Sequence, residues 1–186
     1  QTLRGRTLGL YGYGRIARQV AGYAETFGMK VVWWASEEGR RRAMEDGRQV
    51  AASREAFFAT CDIVSVHVRM KPDTRGMITL ADLSVMKPSA SFINTSRAAL
   101  VEPGALLAAL NAGRPGRAAV DVFDKEPLRD PADPLLNHPN LIATPHIGFV
   151  TEDELNEQFA DIYALINAYA VGQPIHTVNP QVWQAV

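Results

Sequence analysis

The sequence predicts an α/β fold, a mostly parallel sheet with helices on both faces in three layers. Three observations carry that expectation. Short apolar runs rich in Val, Ile and Leu alternate with amphipathic stretches along most of the chain. A glycine-rich turn, GYGRIA at residues 12–17, joins the first apolar run to the first helical pattern. The chain has 186 residues, 47% hydrophobic and 21% charged, enough for a full core, and its single cysteine rules out an intrachain disulfide.

Taken in order, residues 7–11 (TLGLY) read as a strand and 15–27 as a helix ended by Gly28, with Ile16, Val20, Tyr23, Ala24 and Phe27 on one stripe. Residues 30–34 (KVVWW) form the next strand, and 38–46 form a highly charged helix with one solvated face. Val50 and Ala51 suggest a brief third strand, and Ser53 caps a short helix over 54–59. Strands at 62–67 and 90–94 flank a loop at 69–77 and a short helix at 80–86. A helix over 103–112 and a strand over 117–122 follow. Pro127, Pro131, Pro134 and Pro139 make 124–140 a loop. A last strand spans 141–144. Thr151 then caps a long helix, with Glu154 at the capping-box position and Leu155, Phe159, Ile162, Ile166 and Tyr169 on its apolar face. Gly172 and Pro174 stop it, and the tail, with Val178 and Trp183, has no clear pattern.

Composition excludes several roles. With 19 basic and 20 acidic residues the net charge is −1, so nothing points to nucleic acid or an anionic membrane as partner. No apolar run approaches a membrane span and no signal peptide is visible; together with the lone cysteine, this makes a cytoplasmic location the expectation. Cys61 reads as a packing residue at a strand start. The histidines lack metal-ligand spacing, so no metal site is expected.

Each residue of the glycine turn has a mechanical reading. Gly12 allows a tight turn, Gly14 leaves room for a pyrophosphate, and Ala17 allows close helix–strand contact. Backbone N–H groups of Arg15 and Ile16 would hold the pyrophosphate at the helix start. The turn therefore predicts a Rossmann-type sheet and a dinucleotide cofactor. The second strand should end in an acid for the ribose hydroxyls, at Ala35 or Ser36, and neither is acidic. Glu37 and Glu38 follow, and Arg40, Arg41 and Arg42 either reach a 2′-phosphate or form a solvated helix face. NAD is the expected cofactor, with NADP left open and Ser36 kept among the cofactor-binding candidates.

Five ordered blocks then resemble the D-isomer-specific 2-hydroxyacid dehydrogenases: GLYGYGRIA at 9–17, HVRMKPDTRGMI at 67–78, MKPSASFINTSRAALVEPGALLAAL at 86–110, AAVDVFDKEPL at 118–128 and TPHIG at 144–148. The resemblance covers nearly all of residues 5–180. It implies reversible hydride transfer between a nicotinamide and C2 of a 2-keto or 2-hydroxy acid. Arg97, just past a strand end, would bind the substrate carboxylate, and a guanidinium suits that task. His146 would exchange the proton, supported by Glu126, since an imidazole beside a carboxylate can do both directions near neutral pH. Asp124 sits two residues too early by the motif and reads as a loop group.

The resemblance also implies cofactor contacts by His67, Val68, Thr74, Thr95, Ser96, Arg97, Asp121, His146 and Gly148. Most members carry proline where this chain has Arg69, whose role is open. Residues 1–150 would form a dinucleotide-binding domain, and 151–186 a long helix and tail returning toward a substrate domain largely absent from this chain. On that view the chain is a fragment, inactive alone, of an enzyme that dimerises through the cofactor domain. Leu106, Leu107 and Leu110 are assignable to either core or interface. The alternatives are a cofactor-sensing, corepressor-like binding module and, among enzymes, a formate dehydrogenase; the latter branch typically has Gln at the position of Glu126.

Overall fold

The computed structural model describes residues 2–182; Trp183 lies outside the described residues. Two compact units emerge, one ending at His146 and one beginning at Ile147.

In the first unit six strands form a single, wholly parallel sheet. They are β1 (Thr7–Tyr11), β2 (Lys30–Trp34), β3 (Ile63–Val66), β4 (Ser91–Asn94), β5 (Arg117–Val120) and β6 (Leu141–Ala143). Their order is β2-β1-β3-β4-β5-β6, so the winding reverses between β1 and β3. The helices of this unit are α1 (Arg15–Thr26), α2 (Glu37–Glu45), α3 (Arg54–Thr60), α4 (Leu80–Ser84) and α5 (Ala105–Asn111). The Rossmann-type sheet expected from the alternating pattern is the observed one.

Two apolar cores lie on opposite faces of the sheet. One gathers Phe57, Phe58, Val64, Val66, Ile78, Leu83, Phe92 and Leu100 under α3, α4 and α5. Leu106 and Leu110 belong to it, which settles two of the three leucines as core. The other packs α1 and α2 on Leu8, Leu10, Tyr13 and Trp33. Buried Cys61 has its thiol pushed up to about 12 by desolvation, so it is an inert packing group.

Four details differ from the sequence reading. The inward face of α1 is Ala17, Ala21 and Ala24, whereas Ile16, Tyr23 and Phe27 are exposed. Both stripes have helical spacing, but only small residues let the helix approach the strands closely. Val50 makes one isolated bridge to Trp33 rather than a strand, because the chain turns at once into the Ser53 cap of α3. The 69–77 loop contains a short 3-10 turn at Pro72–Thr74. A second 3-10 turn, Ala98–Leu100, follows β4, and Val101 just after it bridges Ile78.

The second unit is dominated by α6 (Glu152–Ala170). Its Thr151 cap accepts from the Glu154 N–H at 3.1 Å, while the Glu154 carboxylate meets the Thr151 hydroxyl at 3.5 Å. The expected apolar positions Leu155, Phe159, Ile162, Ile166 and Tyr169 are all exposed. Among the described residues no helix is long and apolar enough to cross a membrane.

Two glycines should respond oppositely to alanine. A Cβ on Gly116 would stand 1.9 Å from the Pro88 carbonyl oxygen, whereas nothing lies within 4 Å of one on Gly22 in exposed α1. Urea melts should show Gly116→Ala losing more than ~2 kcal/mol and Gly22→Ala gaining about 0.5–1 kcal/mol. Equal responses would refute this account of the two sites.

Candidate active site and cofactor groove

Parallel strands present their carboxyl ends along one edge, and a ligand crevice opens where the winding reverses. Here that edge carries the turns after β1, β3 and β4, and they enclose a groove of about 630 Å³. Gly14, Arg15, Ile16 and Ala17 line one side, His67, Val68, Arg69 and Met70 another, and Thr95, Ser96 and Arg97 the third.

Gly12 and Gly14 serve different ends. Gly12 has φ +115°, and a Cβ there would meet the His67 carbonyl oxygen at 2.5 Å, so the chain's own packing demands glycine. Gly14 has extended backbone at φ −103° and ψ 179°. Nothing lies within 4 Å of a Cβ built on it. Neither backbone nor packing requires glycine there, and what its absent side chain preserves is open space at the start of α1. Beside that space the first N–H groups of α1 lack helical acceptors; the first closed turn is Arg18 N–H to Gly14 O at 3.1 Å. A helix start with unpaired N–H groups, open space beside Gly14 and no carboxylate in the groove lining fits a dinucleotide pyrophosphate. Groove size also lies within the ~300–1,000 Å³ usual for small-molecule sites.

Buried Asn94 shapes the third wall. Its side-chain amide donates to Arg97 O at 2.9 Å, and its Oδ1 accepts from the Ser96 N–H at 3.0 Å. The Ser96 hydroxyl donates to Val66 O at 2.7 Å and pins this turn to the end of β3. Arg97 is exposed, with Nη1 donating to Ser96 O at 2.6 Å. Asn94 was not among the sequence candidates. The available signal was a polar amide at the carboxyl end of the strand.

Glu126 and His146 meet beside a smaller cavity of about 230 Å³ that is lined largely by Phe123, Leu128, Leu136 and Ala143. His146 Nδ1 lies 2.6 Å from Glu126 Oε2, and Glu126 Oε1 accepts from the Phe123 N–H at 2.9 Å. The His146 hydrogen bond holds the Glu126 carboxyl below its ordinary range, helped by the Phe123 N–H and the positive charge of Arg97. His146 itself adopts left-handed backbone at φ +56°, an arrangement costing about 1–3 kcal/mol for a non-glycine residue. Asp121, buried just past β5, accepts from the Thr144 hydroxyl at 2.5 Å and so tethers the turn that presents His146.

The remaining candidates fall in several places. His67 lines the groove with Nε2 3.0 Å from the Ser65 hydroxyl, and burial lowers its basicity. Ser36 caps α2 by accepting from the Gly39 N–H at 3.2 Å and does not line the groove. Thr74 also lies off the lining, its hydroxyl bonded to Arg69 O at 2.9 Å within its own loop. Asp124 is exposed. Gly148 lies in the second unit. Around the end of β2, Arg40 donates to Ala35 O at 2.7 Å and covers the Trp34 ring, while Arg41 pairs with Glu38 and Glu45. No group of three or more potential metal ligands occurs among the described residues.

Residues 1–148 match the family model described as D-isomer specific 2-hydroxyacid dehydrogenase, NAD binding domain. A glyoxylate reductase of Thermococcus litoralis is 37% identical over 185 residues, covering 97% of this chain and 54% of that protein. The D-3-phosphoglycerate dehydrogenase of Rattus norvegicus is 36% identical over 86% of this chain and 31% of its own length. Among solved structures, a D-3-phosphoglycerate dehydrogenase-type oxidoreductase from Ralstonia solanacearum superposes with a TM-score of 0.91 at 44% identity, over 99% of this chain and 54% of that one. The chain thus spans about half the length, or less, of the relatives it matches.

Asn94→Ala removes both side-chain bonds that shape the 95–97 turn. It should cost about 2 kcal/mol in urea denaturation, more than Thr95→Ala at the exposed neighbouring position. A loss below about 0.5 kcal/mol, within the scatter of surface substitutions, would show that the turn holds its shape without Asn94.

Proposed function

The chain belongs to the D-isomer specific 2-hydroxyacid dehydrogenase family, and from that premise we propose that it is the cofactor-binding part of an enzyme that interconverts a 2-keto acid and a D-2-hydroxy acid. The observation that carries this reading is the Glu126–His146 pair on the same sheet edge as Arg97 and a groove fit for a pyrophosphate.

Gly14, Arg15 and Ile16 would hold the pyrophosphate, and His67, Val68, Thr95 and Ser96 would line the remainder of the dinucleotide site. A bound nicotinamide supplies the hydride. Arg97 receives the substrate carboxylate in a two-point contact that orients C2. His146 delivers a proton to the C2 oxygen in reduction and removes it in oxidation. Its Nδ1 is committed to Glu126, so that exchange falls to Nε2. Glu126, anionic across the neutral range, fixes the ring through that bond. NAD is the proposed cofactor, in line with the description of the family model. Homodimerisation through this part of the chain is also proposed. Because Leu106 and Leu110 are already core, that interface would draw on other residues.

In the full-length protein, His146→Ala should lower kcat for 2-keto acid reduction by about 10²–10⁴-fold with little change in KM. Turnover near wild type on every substrate accepted would sink the acid–base role. Glu126→Gln keeps the shape of the side chain but removes the anion that fixes the ring, so kcat for reduction should fall at least about tenfold. Turnover unchanged from wild type would contradict it.

Gly14→Val tests the open space at the start of α1. With nothing within 4 Å of its Cβ, the variant should stay folded and lose no more than the ~1 kcal/mol of a poorer helix cap, about 2–4 °C in Tm, yet bind NADH at least about tenfold more weakly by fluorescence titration.

A further inference from the structure

The groove lining holds one arginine to which the proposed chemistry gives no role. That lining contains Arg15, Arg69 and Arg97 and no carboxylate. A pyrophosphate brings two negative charges and a 2-keto acid one. The start of α1 with Arg15 answers the first, and Arg97 answers the second.

Arg69 belongs to neither. It follows β3 in the 67–70 turn, is exposed, and among the described residues its guanidinium makes no hydrogen bond, ion pair or ring contact. Several arginines outside the groove contrast with it, though Arg4, Arg75 and Arg129 do not. Arg48 is held by Glu25, Arg54 by Asp82, and Arg114 by Met86 O. The three arginines after β2, which the sequence offered to a 2′-phosphate, are engaged as well. Arg40 is held by Ala35 O and the Trp34 ring, Arg41 by Glu38 and Glu45, and Arg42 lies 3.8 Å from Glu38. A concave wall lined by cations focuses their field, and each added cation is unfavourable there until an anion binds.

Resting on the reading that the groove takes a nicotinamide dinucleotide, we propose that Arg69 binds a further phosphate monoester carried by a ligand of this groove. A guanidinium suits that group, presenting two parallel N–H donors to two phosphate oxygens. Two ligands can bring it, a dinucleotide with a 2′-phosphate on the adenosine ribose or a 2-hydroxy acid with a terminal phosphate.

The test is a set of equilibrium titrations of the full-length protein with two matched pairs of ligands. One pair is NADPH and NADH, read by cofactor fluorescence. The other is 3-phosphoglycerate and glycerate, read by calorimetry in saturating NAD. In at least one pair the phosphorylated member should bind about tenfold more tightly, the scale of one charge-assisted hydrogen bond. Arg69→Ala should bring that ratio close to one, and Arg69→Lys should keep part of it as a point charge without the fork. A ratio lost in the first pair places the phosphate on the cofactor, and one lost in the second places it on the substrate. Ratios identical in wild type and Arg69→Ala for both pairs overturn the proposal, while NADH binding by both proteins leaves the cofactor reading standing. Wild-type protein that binds neither NADH nor NADPH overturns that reading and this proposal with it.

Discussion

The site depends on the close approach of the β1 turn to the end of β3. Gly12 lies so near the His67 carbonyl that a Cβ would stand 2.5 Å from its oxygen. The same junction is tied by backbone hydrogen bonds, Gly12 N–H to Trp34 O and His67 N–H to Tyr11 O, each 2.8 Å. Three strand ends are thereby locked together where the winding reverses. Further tethers extend the lock along the edge. Ser96 binds Val66 O, Asp121 N–H binds Asn94 O at 3.1 Å, and the Asp121 carboxylate binds Thr144. From the glycine turn to His146, each functional loop is fastened to its neighbour by a bond between strand ends. A site spread over loops after five strands gains its geometry from that series, since loops alone are the mobile part of such folds.

Much of this was legible before the structure because the signals are local. A period of two or 3.6 names strands and helices, and glycine turns, caps and prolines mark their limits. Glu126 and His146, twenty positions apart, were paired by motif, and the structure brings them to 2.6 Å. What escaped is settled by tertiary contact. The bulky stripe of α1 and its alanine stripe have the same spacing, and only the distance to β1 and β2 chooses the alanines. Ser36 and Thr74 carry hydroxyls at plausible places, yet each satisfies a nearby backbone group instead, Ser36 an N–H of α2 and Thr74 the Arg69 carbonyl. Asn94 escaped for the opposite reason. A buried amide inside a strand carries no motif, and its value appears only once the turn folds back over it.

The electrostatic demands of the proposed chemistry conflict, and their resolution lies in placement. A pyrophosphate and a substrate carboxylate call for a groove without anions, while an imidazole that must carry a proton calls for an anion beside it. The lining satisfies the first demand, with three arginines and no carboxylate. Glu126 satisfies the second from a separate, mostly apolar cavity, with one oxygen fixed by the Phe123 N–H and the other by His146 Nδ1. Its charge therefore reaches the ring through a hydrogen bond and does not line the surface on which the anionic ligands would rest. The lowered carboxyl of Glu126 is the measurable trace of that placement, since its first cause is His146 and Arg97 also contributes. A carboxylate moved into the groove would weaken anion binding, and one removed from behind the ring would leave the imidazolium unsupported. A carboxylate bonded to His146 and off the groove lining meets both demands, which is where the DKEP segment at 124–127 sets it.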